Sequence, residues 1–150
     1  MISLVSLVFL VVRIVDMKQI RVGLKGEARR TVTADQTAEA FGSGVVPVFA
    51  TPAMVALMEK AAVLALADYL PAEETTVGTK LEIGHLAPTP LGDEVRAEAV
   101  LVAIEGRRLS FTVAAWDSSE QIGQGRHERV VVARDRFLAK VGQKRPPSLA

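Results

Sequence analysis

The longest helix-favouring run in the chain is TPAMVALMEKAAVL, from Thr51 to Leu64. Thr51 suits the N-cap of a helix, and Pro52 suits its first turn, where a backbone N–H is not needed. Ala and Leu dominate the positions that follow, as expected for a helix that is buried on most sides. The pattern therefore predicts one long central helix from Thr51 to Tyr69, which Pro71 ends.

The rest of the chain favours β-structure. A first strand is predicted at Glu27–Thr33, a loop or short helical turn over 35–50, and a short helix over 136–142. After the long helix, alternating apolar and polar residues predict four further strands, at 77–86, 94–105, 108–117 and 121–134. Their tight turns favour antiparallel hairpins in a four-strand meander. Since the long helix is the available cover for such a sheet, we predict an α+β fold in which an antiparallel sheet wraps around one central helix.

Composition narrows the possible functions. The 150 residues suffice for one domain with a sizeable core, and 49% of them are apolar. A net charge of +1 argues against a nucleic-acid binder, for which a basic excess is typical. The absence of Cys removes disulfides and thiolate catalysis, and two His residues are too few for a His-rich metal centre. We therefore expect no metal, no nucleic-acid partner and no membrane partner.

The two ends of the chain are treated separately. Residues 1–16 form an apolar N-terminal extension that is too short to cross a bilayer and lacks the charge and cleavage site of a signal peptide. We interpret it as the product of an incorrectly assigned start upstream of Met17; an extra strand or an interface segment is the alternative. The folded domain is predicted over 17–144, followed by a flexible tail at 145–150, and the location is expected to be cytoplasmic.

Three polar residues interrupt the apolar pattern. Thr51 opens the helix, Glu59 follows about two turns later on the same face, and His85 lies in the next β-like segment. A carboxylate in an apolar stripe is costly to bury unless it is paired or used, and His85 can supply the partner. A hydroxyl, a carboxylate and an imidazole in a chain without cysteine indicate acyl-transfer or hydrolytic chemistry.

Each of the three residues also has a structural interpretation. Thr51 followed by proline is a strong N-cap signature. Glu59 suits the exposed edge of the apolar face, and His85 suits a strand position with satisfied hydrogen bonds. Taken singly, none of these residues identifies a catalytic site.

Two more positions carry a functional and a structural interpretation each. Gly78 lets a substrate approach the backbone closely, so that an N–H there can stabilise an oxyanion, but it is also typical of a β-bulge. Arg129 shares a strand face with His127. Its guanidinium either contacts the substrate or pairs with Glu105 or Glu128 at the surface.

A family resemblance adds to this interpretation. The order of elements resembles the hot-dog fold of acyl-CoA thioesterases and dehydratases. Local motifs are similar to those of the fluoroacetyl-CoA thioesterase family, in register from about Arg21 to Lys144, which is more specific than any one motif. These motifs are VFAT at 48–51, MV at 54–55, LME at 57–59, GT at 78–79, APTP at 87–90 after His85, IEGRRLS at 104–110, IG at 122–123 and HER at 127–129.

The resemblance implies a set of roles. It implies thioester hydrolysis with Thr51, Glu59 and His85 as the catalytic set, and it implies substrate contacts at Gly78 and Arg129. Glu59 is expected to act as nucleophile or as the base that activates water, and His85 to orient water or move a proton. Whether a side chain or a water molecule attacks stays open at this point, as does direct attack by Thr51.

One position departs from the family pattern. The fluoroacetyl-specific enzyme has a phenylalanine lid six residues before its Thr, and this chain has Val45 there. The resemblance therefore does not carry fluoroacetyl selectivity, and we expect a small or medium acyl group in a pocket that Val45 and Phe49 help to shape.

The expected assembly is a homodimer without cofactors. Coenzyme A enters only as part of the substrate, and pairing two small sheets edge to edge removes one open strand edge from each. Two alternatives remain: a non-catalytic acyl-CoA binding or sensor protein, and an enoyl-CoA hydratase-type enzyme on the same fold. Hydratases of this fold typically pair an Asp with a His on the helix, whereas here His85 lies on a strand, which favours hydrolysis.

Overall fold

The computed structural model describes residues 19–144. The predicted N-terminal extension and the predicted tail lie outside this range. The described helices and strands, in chain order, are β1 Lys25–Thr31, α1 Ala38–Phe41, α2 Thr51–Leu66, β2 Glu74–His85, β3 Glu94–Glu105, β4 Arg108–Trp116, β5 Gln121–Ala133 and α3 Arg134–Gly142. A 3-10 turn at Ala34–Gln36 precedes α1. None of the helices within 19–144 has the length and apolar character needed to cross a membrane.

The strands form one antiparallel sheet in the order β1-β3-β4-β5-β2. The predicted sheet around a helix is confirmed, but the predicted four-strand meander is wrong. Only β3, β4 and β5 form a meander, while β2 pairs with β5 at its far side. The segment between β2 and β3 contains Pro88 and Pro90, which lack the N–H of a ladder. That segment is held instead against the chain before α2, where the Phe49 N–H donates to the Thr89 carbonyl at 2.9 Å.

Helix α2 fills the concave side of the sheet. Half of its residues are buried, and it packs mainly against β1 and β3. Gly26 on β1 permits this close approach, because a Cβ there would lie 2.0 Å from the Ala61 carbonyl oxygen. The helix ends at Leu66 and not at the predicted Tyr69, since the chain tightens into turns in which Tyr69 N–H donates to the Leu66 carbonyl.

The start of α2 differs from the predicted N-cap. Ala50 is the N-cap residue and has extended backbone angles, while its N–H donates to the Gln36 carbonyl at 2.8 Å. Thr51 is therefore the first helical residue, and its hydroxyl does not cap the helix. This leaves the Thr51 side chain available to a neighbour on another element.

Strand β2 lies at the margin of the fold. Among the described strands it pairs only with β5, so that one edge of its 12 residues carries no described partner strand. Helix α2 covers the half of the sheet that contains β1 and β3, and β2 lies at the opposite edge. The face of β2 that carries Gly78 and His85 is therefore next to the less covered side of the helix. The sequence thus brings β2 and the polar residues of α2 to one edge of the core.

Candidate active site

Thr51 and His85 form a hydroxyl–imidazole pair. Thr51 Oγ1 lies 2.7 Å from His85 Nδ1, which joins the start of α2 to the end of β2. The pair borders a cavity of about 340 Å³ whose wall includes Phe49, Ala38 and Pro88. Phe49 is fully buried and is one of several apolar residues in this wall.

The surroundings of His85 favour its neutral form. Burial lowers the pKa of His85, and the backbone carbonyl of Ala87 opposes that shift. Within residues 19–144 the buried Nε2 atom makes no hydrogen bond. In the neutral tautomer with its proton on Nε2, Nδ1 can accept a hydrogen bond from the Thr51 hydroxyl at this distance. This is the arrangement in which a nearby base activates a hydroxyl for attack.

Glu59 belongs to a second group of residues, the Glu59 group, which consists of Glu59, Thr76, His127 and Arg129. Its Oε2 atom accepts a hydrogen bond from Arg129 Nη1 at 3.0 Å, and the Glu59 side chain is 36% exposed. Arg129 is buried, and its remaining nitrogens donate to Thr76, with Nε on Oγ1 at 2.9 Å and Nη2 on the carbonyl at 3.0 Å. Burial lowers the pKa of Arg129, while Glu59 opposes that shift. The buried Arg129 guanidinium therefore holds the partly exposed Glu59 carboxylate of α2 in place.

Gly78 makes room for this carboxylate. A Cβ at residue 78 would lie 2.7 Å from Glu59 Oε2, closer than atoms of this kind approach in proteins. The register between β2 and β5 also shifts between Gly78 and Lys80, as the bulge interpretation predicts. The bulge interpretation of Gly78 is confirmed, while close approach of a substrate to its backbone stays a prediction; the glycine also faces the Glu59 carboxylate.

The predicted site residues therefore separate into two groups within one chain. Glu59 follows Thr51 by eight residues, so the two lie about 12 Å apart along the helix axis. The expectation that His85 partners Glu59 is wrong within the chain, since Arg129 takes that place. Arg129 is also not the surface partner of Glu105 or Glu128, because its side chain turns inward from β5 to the helix.

Val45 lies apart from the other predicted pocket residues. Its side chain is 91% exposed, and Ser43, not Val45, borders the cavity beside Thr51 and His85.

Two members of the Glu59 group were not predicted. His127 is fully buried with Nε2 at 3.1 Å from Arg129 Nη1, and Thr76 binds the same guanidinium. The alternation of β5 places His127 and Arg129 on one strand face, which is the signal that could have identified His127. Nothing comparable distinguishes Thr76 in the sequence. Residues 19–144 contain no cluster of three or more His, Asp or Glu side chains arranged to hold a metal ion.

Comparison with solved structures gives the class of this protein. A hot-dog-like protein from Thermanaerovibrio acidaminovorans is 27% identical, with a TM-score of 0.76 over 85% of this chain and 94% of that chain. A solved fluoroacetyl-CoA thioesterase is 40% identical, with a TM-score of 0.81 over 86% of this chain and 100% of that chain. The chain has the hot-dog fold, as its sequence predicts, and its class is the thioester hydrolases of that fold.

Sequence comparison gives the family. The family model described as fluoroacetyl-CoA-specific thioesterase matches residues 32–135. A fluoroacetyl-CoA thioesterase from Streptantibioticus cattleyicolor is 50% identical over 99 residues, which are 66% of this chain and 71% of that protein. The chain belongs to the fluoroacetyl-CoA thioesterase family. The matched range contains both the Thr51–His85 pair and the Glu59–Arg129 pair.

Proposed function

We propose that this protein hydrolyses small or medium acyl-CoA thioesters to the free acid and coenzyme A, with Thr51, Glu59 and His85 as the catalytic set. Family membership supports the reaction class, and the names of the relatives support an acyl-CoA substrate. The observation that carries the proposal is the 2.7 Å contact between the Thr51 hydroxyl and the neutral His85 ring beside an open cavity. A paired hydroxyl and imidazole provide the nucleophile and the base that acyl transfer needs.

The first step of the proposed mechanism uses the Thr51–His85 pair. Thr51 Oγ1 forms a bond to the thioester carbonyl carbon while its proton passes to His85 Nδ1. The C–S bond then breaks, and the departing thiolate takes that proton from the imidazolium. The lowered pKa of His85 suits this role, because the ring is neutral before attack and gives the proton up readily afterwards.

The second step uses Glu59. The Glu59 carboxylate takes a proton from a water molecule whose oxygen attacks the acyl carbon, and the ester bond to Thr51 Oγ1 breaks. Thr51 regains a proton from Glu59, which restores the starting state and releases the acid. Arg129 holds the carboxylate in place, and the missing side chain of Gly78 leaves room for the carboxylate in that position.

Since Thr51 and Glu59 lie about 12 Å apart along one helix, the proposal requires a homodimer that joins the two groups across subunits. The edge of β2 that faces away from β5 supplies a surface for such pairing. Antiparallel pairing of β2 with a second copy about an axis at Glu82 would set Gly78 opposite His85 of that copy, since the bulge at Thr79 leaves both residues three ladder positions from Glu82. Each dimer would then hold two composite sites.

Two further features belong to the same proposal. The reaction uses no cofactor, since coenzyme A is part of the substrate. The proposed location is cytoplasmic, where acyl-CoA thioesters are formed and consumed.

The test is thiol release from a panel of acetyl-, propionyl-, butyryl-, hexanoyl- and octanoyl-CoA. A colorimetric thiol reagent suits this protein because the chain contains no cysteine. We expect release from several members, at least about a hundredfold loss in Glu59→Ala, and wild-type rates in Glu105→Ala, an exposed carboxylate at the β3–β4 turn. Full activity of Glu59→Ala, or tight acyl-CoA binding without release by the wild type, would contradict the proposal.

A further inference from the structure

His127 occupies a position that the proposed mechanism does not use. Its side chain is fully buried beside Phe111 of β4, with the ring centroids 6.3 Å apart. Nδ1 lies 2.9 Å from the carbonyl oxygen of Lys80 on β2. A carbonyl oxygen only accepts, so Nδ1 carries the proton. In the neutral ring this leaves Nε2 with a lone pair and no proton.

The Nε2 lone pair points at Arg129. Nε2 lies 3.1 Å from Arg129 Nη1, which therefore donates one of its two protons to the ring. Arg129 Nε and Nη2 both donate to Thr76. The second proton of Nη1 is the one that reaches Glu59, at 3.0 Å. Because the guanidinium is planar, fixing three of these contacts also fixes the direction of the fourth.

From this geometry we infer that His127 is a positioning residue for thioester hydrolysis: as a neutral acceptor it orients Arg129 Nη1, and through it the Glu59 carboxylate. The inference rests on the proposed role of Glu59. His127 does not line the cavity beside Thr51, and its side chain is fully buried. Its action is therefore indirect, through the guanidinium of Arg129.

Protonation would reverse this arrangement. A proton on Nε2 would remove the acceptor and set an imidazolium 3.1 Å from a guanidinium. The charged groups that face the ring are Arg129 on its own strand and Glu59 on α2, whose Oε2 lies 3.8 Å from Nε2. Strand β2 contributes the Lys80 carbonyl, and β4 contributes the uncharged Phe111. Burial lowers the pKa of His127, the Lys80 carbonyl raises it, Arg129 lowers it and Glu59 raises it, with a net lowering that keeps the ring neutral.

Two substitutions separate positioning from packing. In His127→Asn the amide N–H occupies the place of Nδ1 and keeps the Lys80 contact, but no atom reaches Arg129. In His127→Gln the amide oxygen reaches the place of Nε2 and keeps an acceptor for Arg129. We expect kcat to fall about 10- to 100-fold in His127→Asn with KM nearly unchanged, and to recover most of that loss in His127→Gln.

The tautomer of His127 is a second, independent readout. Nitrogen chemical shifts from the wild-type protein should show the proton on Nδ1 and an accepting Nε2, and the chain has only His85 to distinguish from it. This measurement also decides the matter where a variant does not fold. Equal kcat losses in His127→Asn and His127→Gln, unchanged kcat in His127→Asn, or a proton on Nε2 would each overturn the inference. If the wild type releases no thiol from any acyl-CoA, the proposed function fails, while the tautomer still tests the orientation of Arg129.

Discussion

The Oε2 atom of Glu59 occupies the space in front of Gly78, 2.7 Å from where a Cβ of residue 78 would lie. The same hypothetical Cβ would lie 3.2 Å from His127 Cε1 and 3.3 Å from Arg129 Nη1. A side chain at this position would therefore meet three members of the Glu59 group together. Of the three, the carboxylate is the most exposed and the easiest to displace.

The first prediction follows from this contact. Gly78→Ala should lower kcat for acyl-CoA hydrolysis by about tenfold or more, because the new methyl group displaces the carboxylate from its position on Arg129. The free energy of unfolding should change by less than about 1 kcal/mol, because a partly exposed side chain can move aside. Gly84→Ala on the same strand is the matched control, since its Cβ would make only ordinary contacts, at 3.5 Å with Leu86 and 3.8 Å with Gln124. Equal kcat values in both variants would count against a working role for Glu59.

The second prediction concerns the hydroxyl of Thr51. Thr51→Val keeps the shape of the side chain but removes the hydroxyl that contacts His85, and it should lower kcat by about a hundredfold or more. Thr51→Ser keeps the hydroxyl and should stay within about tenfold of the wild type. Rapid-mixing measurements should show a burst of thiol release in the wild type and none in Thr51→Val. Similar activity of the Ser and Val variants would remove Thr51 from the chemistry.

The third prediction concerns the pH dependence of stability. His85 and His127 both have pKa values lowered from the ordinary 6.5, with burial as the largest cause. The unfolded chain therefore binds more protons than the folded one as pH falls below about 7, and the free energy of unfolding should decrease from there down to the lowered pKa values. Urea unfolding between pH 8 and pH 5 measures this window, which lies above the ordinary carboxyl range of about 4.

A variant isolates the contribution of one histidine to that pH dependence. His127→Gln removes a group that titrates, so its stability should depend less steeply on pH than that of the wild type, with the remaining slope due to His85. If the free energy of unfolding has the same pH dependence in both proteins, His127 has the same pKa in the folded and the unfolded chain.

The sequence predicted the elements better than their arrangement. Periodicity located β3, β4 and β5 almost to the residue, because each alternates across a half-buried sheet and ends at a tight turn. The partner of β2 was missed, since local patterns do not report which strand lies beside which. Pro88 and Pro90 lead to a crossing segment in place of a hairpin, and this consequence depends on a contact with Phe49, which is distant in sequence.

The candidate site shows the same limit. Thr51, Glu59 and His85 were selected because a polar residue in an apolar pattern is conspicuous, and Gly78 and Arg129 because they match family motifs. His127 was overlooked because a single histidine on a strand is usually structural. Which of these residues touch is set by the three-dimensional arrangement of α2, β2 and β5, and this assigned Glu59 to Arg129 and His85 to Thr51.

The fourth prediction concerns acyl selectivity. Val45 is 91% exposed and lies between Ser43 and Val48, which both border the cavity, so we expect a larger apolar side chain there to gain contacts by folding over the cavity. Val45→Phe should therefore raise the ratio of kcat/KM for acetyl-CoA to that for hexanoyl-CoA several-fold, measured by thiol release. Val22→Phe, at an exposed position that does not border the cavity, controls for the added ring and should leave the ratio unchanged.

The last prediction tests whether one site needs two subunits. Thr51→Ala and Glu59→Ala should each be inactive alone, but a sample co-expressed with two different tags contains mixed dimers. If Thr51 of one subunit works with Glu59 of the other, one of the two sites in a mixed dimer retains both residues, and the co-expressed sample should recover about a quarter of wild-type activity. If both residues of a site come from one chain, no site in the mixture is complete and no activity returns.

Purifying the doubly tagged dimer sharpens the comparison, because its expected activity rises to about half of the wild type while the single-chain alternative still gives none. A mass measurement by sedimentation on the same sample establishes that mixed dimers are present, so that an inactive mixture argues directly against the composite site.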